Sequence, residues 1–201
     1  MSKFLPNLRS ITSKVAGFTM IELLIVITIL GILATAVLSA INPIEQINRG
    51  RDTASQSDAE QLINAIERYN AFQEYYPWTT SQNADFTIGT LTTIGSDWDD
   101  GTCEVLEKLS SSANSSCTGT NELKSSFTSR ISGPTARRMF VFNGGNTGDS
   151  TYVCFIPQSQ AMKTKAKDRC GGDTGPGLPT DVPTGIASTL CTPGNEYVCL
   201  P

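Results

Sequence analysis

One uninterrupted apolar run, Phe18 to Ile41, stands out in the hydropathy pattern of the chain. At 1.5 Å per residue it makes roughly 36 Å of helix, enough to cross a hydrocarbon core of about 30 Å. Glu22 is the only ionisable side chain inside it. A carboxylate near the end of a spanning helix is costly, which marks Glu22 as a functional candidate. Asn42-Pro43 interrupts the run, and proline predicts a kink or local break near Ile41. Gly31 is a second weak point, because glycine costs about 1 kcal/mol in a helix relative to alanine. From Ile44 the pattern turns amphipathic: Ala59, Leu62, Ile63, Ile66 and Tyr69 share one helical face, while Asp58, Glu60, Gln61, Asn64 and Glu67 fall largely elsewhere. Pro77 predicts the end of this helix at or just before Tyr76. The whole element, Phe18 to Tyr75, would measure on the order of 85 Å.

Beyond it, residues 83–132 are rich in Ser, Thr, Gly and Asn. Phe86 to Ile94 suits a strand or extended loop, and Cys103 to Ser110 and Glu122 to Ile131 suit short helices. Met139-Phe140-Val141-Phe142 and Tyr152-Val153-Cys154-Phe155-Ile156 are β-formers separated by Asn143-Gly144-Gly145, which predicts an antiparallel hairpin. Lys163, Lys165, Lys167 and Arg169 alternate along the chain, so an extended segment would set all four on one side, as a charged edge strand does. Gly171 to Pro183 reads as loop, and Tyr197 to Leu200 as a last short strand. The fold class is therefore α+β: a long N-terminal helix on a small antiparallel sheet with disulfide-tied loops. Four segments follow: a basic leader at 1–17, a spanning helix at 18–42, an amphipathic helix at 43–76 and a head at 77–201.

Charge and cysteine content narrow the chemistry. The leader carries Lys3, Arg9 and Lys14 and no acid; without it 12 basic face 19 acidic residues, a net charge of −7. Basic residues retained on the cytoplasmic side orient the C-terminal bulk outward. An acidic body argues against general nucleic-acid binding. Histidine is absent, which removes Ser-His and Cys-His nucleophile pairs and histidine-ligated metals. With scattered carboxylates and no catalytic constellation, the expectation is that the chain is not an enzyme and needs no cofactor.

Six cysteines in an exported domain read as disulfides: Cys103, Cys117, Cys154, Cys170, Cys191 and Cys199. Short separations suggest Cys103–Cys117, Cys154–Cys170 and Cys191–Cys199, with Cys154–Cys199 as the competing bridge between strands. Asp97-Trp98-Asp99-Asp100-Gly101, and Asp168, Asp173 and Asp181, are loop acids that lack the spacing of a calcium loop. No metal site is expected from them.

The junction Gly17-Phe18-Thr19-Met20-Ile21-Glu22-Leu23 resembles the processing site of type IV pilins and of type II secretion pseudopilins. It combines a basic leader, a Gly-Phe bond, an offset glutamate and a long apolar run. The resemblance is tight over the first 45 residues and loose to about Tyr76. It implies cleavage after Gly17 by a prepilin peptidase and N-methylation of Phe18. It further implies assembly of many copies into a helical filament, with Glu22 engaging an amine of Phe18 in the same or the next subunit. The precursor would sit in the inner membrane with its head outside, and the product would be an extracellular filament serving adhesion, twitching motility or DNA uptake. A pseudopilus is the alternative, and a membrane-tethered module that never assembles is a more distant one.

Overall fold

The computed structural model describes residues 17–201 apart from 83, 86, 96–97, 112–116, 133–137, 147, 172–177, 180–181 and 195. Residues 1–16 of the leader, with Lys3, Arg9 and Lys14, together with Phe86, Asp97, Asp173 and Asp181, lie outside the described residues. Two compact units divide the chain between Asn42 and Pro43.

The first unit is built on helix α1, Met20–Ala40. Its apolar residues run round the whole circumference, and none of the span Met20–Ser39 is buried within the chain. Twenty residues at 1.5 Å each reach about 30 Å, the thickness of a hydrocarbon core. Thr28, Thr35 and Ser39 donate their hydroxyls to the carbonyls of Ile25, Ile32 and Ala36 at 2.8–2.9 Å. These polar side chains are thereby satisfied inside the helix, as hydrocarbon demands. The helix runs on through Gly31 and stops before Ile41, which is extended at φ −101°, ψ 129°.

The second unit begins with helix α2, Pro43–Gln73. Proline suits a first helical position, since its missing N–H would be unpaired there and its φ is already helical. Proline also disfavours helical backbone at Asn42. α2 ends at Gln73, before the Tyr76 boundary that Pro77 predicted. Glu74 turns left-handed at φ 62°, its N–H closing on the Asn70 carbonyl at 2.8 Å, an αL helix stop. Ala59, Leu62, Ile63, Ile66 and Tyr69 are buried as their spacing predicted, but so are Asp52, Ser55 and Asp58. Asp58 thus leaves the polar face assigned to it.

The sheet runs β1-β2-β3-β4, antiparallel throughout: Ile88–Thr93, Met139–Asn143, Thr151–Phe155 and Val198–Leu200. Because side chains alternate along a strand, Met139, Val141 and Val153 join Leu62 and Ile66 in the main core against α2. Phe142, Tyr152 and Cys154 face the other way. They pack with Ile186 and Leu190 of a short helix, α6, Thr184–Leu190, which begins just past the Gly171–Pro183 stretch read as loop. Between β2 and β3 the chain turns where Asn143 Oδ1 accepts the Gly145 N–H at 2.8 Å. Gly145 has φ +85°, and a Cβ there would sit 1.9 Å from Thr87 Oγ1, so glycine is required twice over.

Helices α3, Val105–Leu109, and α4, Ser125–Ile131, fill the segment between α2 and β2. The segment holding Lys163 to Arg169 is not extended: it forms helix α5, Gln160–Arg169. Ser159 caps it by accepting the Met162 N–H at 3.3 Å, and Gln, Ala, Met and Lys are good helix formers. At 3.6 residues per turn the four cations therefore split into two pairs, Lys163 with Lys167 and Lys165 with Arg169, on different sides of the helix.

A candidate processing and assembly site at the head of the spanning helix

Gly17, Phe18 and Thr19 precede α1 without helical structure, and all three are exposed. The Gly17-Phe18 peptide bond is therefore in open, non-helical chain, the form a peptidase binds. A side chain on residue 17 would meet nothing within 4 Å in the protein itself, so the fold itself makes no demand for glycine there.

Thr19 is the N-cap of α1. Its backbone N–H donates to Glu22 Oε2 at 2.9 Å and its hydroxyl donates to the same oxygen at 2.7 Å. In return the Glu22 N–H donates to Thr19 Oγ1 at 3.3 Å. This reciprocal arrangement is a capping box, and the negative carboxylate sits at the positive end of the helix dipole. The structure thus places Glu22 beside Thr19, with Phe18 one residue away and 78% exposed. Sequence reasoning passed over Thr19, although Thr19-x-x-Glu22 ahead of an apolar run is the signature of such a box. Cutting the Gly17-Phe18 bond leaves the Phe18-Thr19 amide intact, so the capping box survives processing.

The prokaryotic N-terminal methylation motif matches residues 12–38. This is the prepilin-type motif of type IV pilins and pseudopilins. The prepilin-type segment thus covers the junction, the capping box and nearly all of the apolar helix. A helix of this length and composition behind such a motif fits a membrane-anchored precursor. No curated protein and no solved structure matches the chain.

The six cysteines form three bonds, and two of the expected pairings are corrected. Cys103 joins Cys117 as their separation suggested. Cys154 joins Cys199 and Cys170 joins Cys191, in place of Cys154–Cys170 and Cys191–Cys199. The reason is the register of the sheet: Cys154 on β3 lies directly opposite Cys199 on β4. Cys170, at the end of α5, is left to meet Cys191, at the end of α6.

The loop acids have structural partners. Asp99 Oδ1 accepts the Gly101 N–H at 2.7 Å. Asp100 takes the N–H groups of Thr102 and Cys103 at 2.9 and 2.7 Å and pairs with Lys108. Burial works to raise the Asp100 pKa, but the Lys108 ammonium and the two N–H donors outweigh it and hold the carboxyl below its usual range. Lys108 also donates to the carbonyls of Pro77 and Thr79 at 3.0 and 3.2 Å, tying the loop after α2 to α3. Asp168 lies exposed on α5. Among the described residues no three His, Cys, Asp or Glu side chains are placed to hold a metal ion.

Proposed function

We propose that the chain is the structural subunit of a type IV pilus. One observation carries the reading: behind a prepilin-type junction stands a helix with large hydrophobic side chains exposed on every side, from Val26 at 45% to Met20 at 92%. Such a surface demands apolar surroundings all round. Lipid supplies them before assembly, and the same helix of neighbouring copies supplies them afterwards. The prepilin peptidase cuts after Gly17, Phe18 is methylated, and the heads sheathe the filament. The chain does no chemistry of its own; separate assembly ATPases do the mechanical work.

Glu22 guides addition in this scheme. Thr19 holds its Oε2, which leaves Oε1 to engage the new amine of Phe18 in the same or the next subunit. An attraction in a low-dielectric filament core favours one register over slipped ones. Three disulfides and the Ser- and Thr-rich segment after α2 suit a head exposed outside the cell, and favour a pilus over a short pseudopilus. The deciding experiment is electron microscopy of sheared surface fibres with mass spectrometry of their subunit. Fibres built from a chain beginning at methylated Phe18 are expected. Cleaved protein confined to the periplasm of a secreting cell would make it a pseudopilin, and uncleaved monomer would overturn both.

A further inference from the structure

Helix α5 sets four cations and one acid, Asp168, into ten residues of a chain whose mature form is acidic. It is poorly covered: Ala166 alone is buried and Met162 is half-buried. Among the described residues no carboxylate lies within ion-pair distance of Lys163, Lys165, Lys167 or Arg169. Arg169 donates to the Cys199 carbonyl at 3.2 Å.

The start of α5 is held by α2. Glu45 accepts the Gln160 N–H at 3.1 Å, and Asp52 accepts the Gln158 and Ser159 N–H groups at 2.8 Å each. Glu45 lies six residues after Ser39, the last residue of the candidate membrane span. Six residues extend over at most ~22 Å, so with the Glu45 side chain added Gln160 stays within about 30 Å of the end of the span at any angle between the two units.

We propose that α5 is a membrane-surface contact: while α1 spans the bilayer, Lys163, Lys165 and Lys167 rest on anionic lipid headgroups of the outward leaflet. Two observations select this occupant. The tether bounds the start of the helix to within about 30 Å of the end of the span, and the charge of the helix is opposite to that of the lipid. Attraction to an anionic leaflet grows with each lysine close to it and fades within a Debye length, so a helix tethered nearby gains what a distant one loses. Long lysine side chains reach the headgroups from both flanks of a helix lying along the surface. The consequence is a hold on the unassembled head that extraction into a filament must break. The inference rests on the membrane-anchored precursor and not on the choice between pilus and pseudopilus.

The test uses the full chain in vesicles of phosphatidylcholine alone or mixed with phosphatidylglycerol. Acylation of Lys163, Lys165 and Lys167 is measured relative to Lys124, an exposed lysine on another element. With phosphatidylglycerol at low salt, the three lysines should react several-fold more slowly than in phosphatidylcholine, and high salt should abolish the difference. Amide exchange in α5 should slow in parallel. That slowing should vanish in K163Q/K165Q/K167Q, whose glutamines keep helix propensity, and persist in K163R/K165R/K167R. Equal reactivity in the two lipids overturns the proposal. So does protection that arises only in assembled fibres or only on adding DNA, which would make α5 a subunit or nucleic-acid contact. Fibre formation is scored separately, so its failure bears on the pilus reading and leaves this test standing.

Discussion

Thr19 and Glu22 form one hydrogen-bonded unit. The threonine caps α1 and fixes which carboxylate oxygen remains available. Thr19→Val keeps the shape and removes the hydroxyl, costing about 1 kcal/mol of local helix stability. Cleavage should continue and filament yield should fall, as read from immunoblots of membrane and sheared fractions. Glu22→Ala should insert and be cleaved normally yet assemble poorly, with Glu22→Gln between the two; normal fibres from a strain with only Glu22→Ala subunits would exclude the carboxylate as the register device. Asp52 is the comparable residue in the head. Its carboxylate takes two backbone N–H groups and the Ser159 hydroxyl, so Asp52→Ala strands buried donors. A loss of about 2–4 kcal/mol is expected in denaturant unfolding of the purified chain. The Asp100 carboxyl, held below its usual 3.8, gives a pH dependence of known sign. Its contribution is complete above that value and is lost as pH falls through the lower folded value. Acid titration of stability should therefore show a slope below about pH 4 that Asp100→Asn removes.

The elements of the head are tied together at their ends. α2 holds the start of α5 through Glu45 and Asp52 and holds α4 through the Asp58–Arg130 pair at 2.5 Å, while Lys108 ties α3 to the loop that follows α2. Two of the three disulfides do the same for the C-terminal third. In the chain-entropy account, the 45-residue closure by Cys154–Cys199 contributes ~4 kcal/mol against ~3 for the 14-residue closure by Cys103–Cys117. Non-reduced peptide mapping should recover Cys154–Cys199 and Cys170–Cys191 peptides, and the paired Cys154→Ser, Cys199→Ser variant should lower the melting temperature most. At the β2–β3 turn, Gly145→Ala meets both a left-handed backbone and the Thr87 side chain. Loss of well over 1 kcal/mol is expected, and a melting curve unchanged from the parent would contradict the turn described.

At the scale of the whole molecule the two units answer to different surroundings. The helix of the first buries none of its Met20–Ser39 span within the chain and is stabilised by whatever apolar phase encloses it. The second buries two faces of one sheet, against α2 and against α6. A bulky replacement of Gly17 meets no obstacle in the protein, so Gly17→Leu should leave the fold and insertion unchanged. Precursor should accumulate in the membrane and surface fibres should vanish, as N-terminal sequencing and microscopy would report. An N-terminus still at Phe18 would show that the cut does not depend on glycine.

The spanning helix, its break before Pro43, the apolar face of α2 and the β2–β3 hairpin are all legible in the sequence. Each rests on chemistry local to a few turns or strands: unbroken apolarity, a missing N–H, a period of 3.6, a period of 2. The Thr19–Glu22 box was equally local and was simply overlooked. The α5 helix was misread because lysines at every second position mimic a strand; its Ser159 cap is adjacent in sequence, but the carboxylates of Glu45 and Asp52 that hold it come from elsewhere in the chain. The burial of Asp58 and the links made by Lys108 depended on partners far along the sequence. The cysteine pairing was decided by strand register, which set Cys154 opposite Cys199 and overrode the shorter separations. Periodicity names which face a residue is on; only the assembled sheet and helices decide what that face meets.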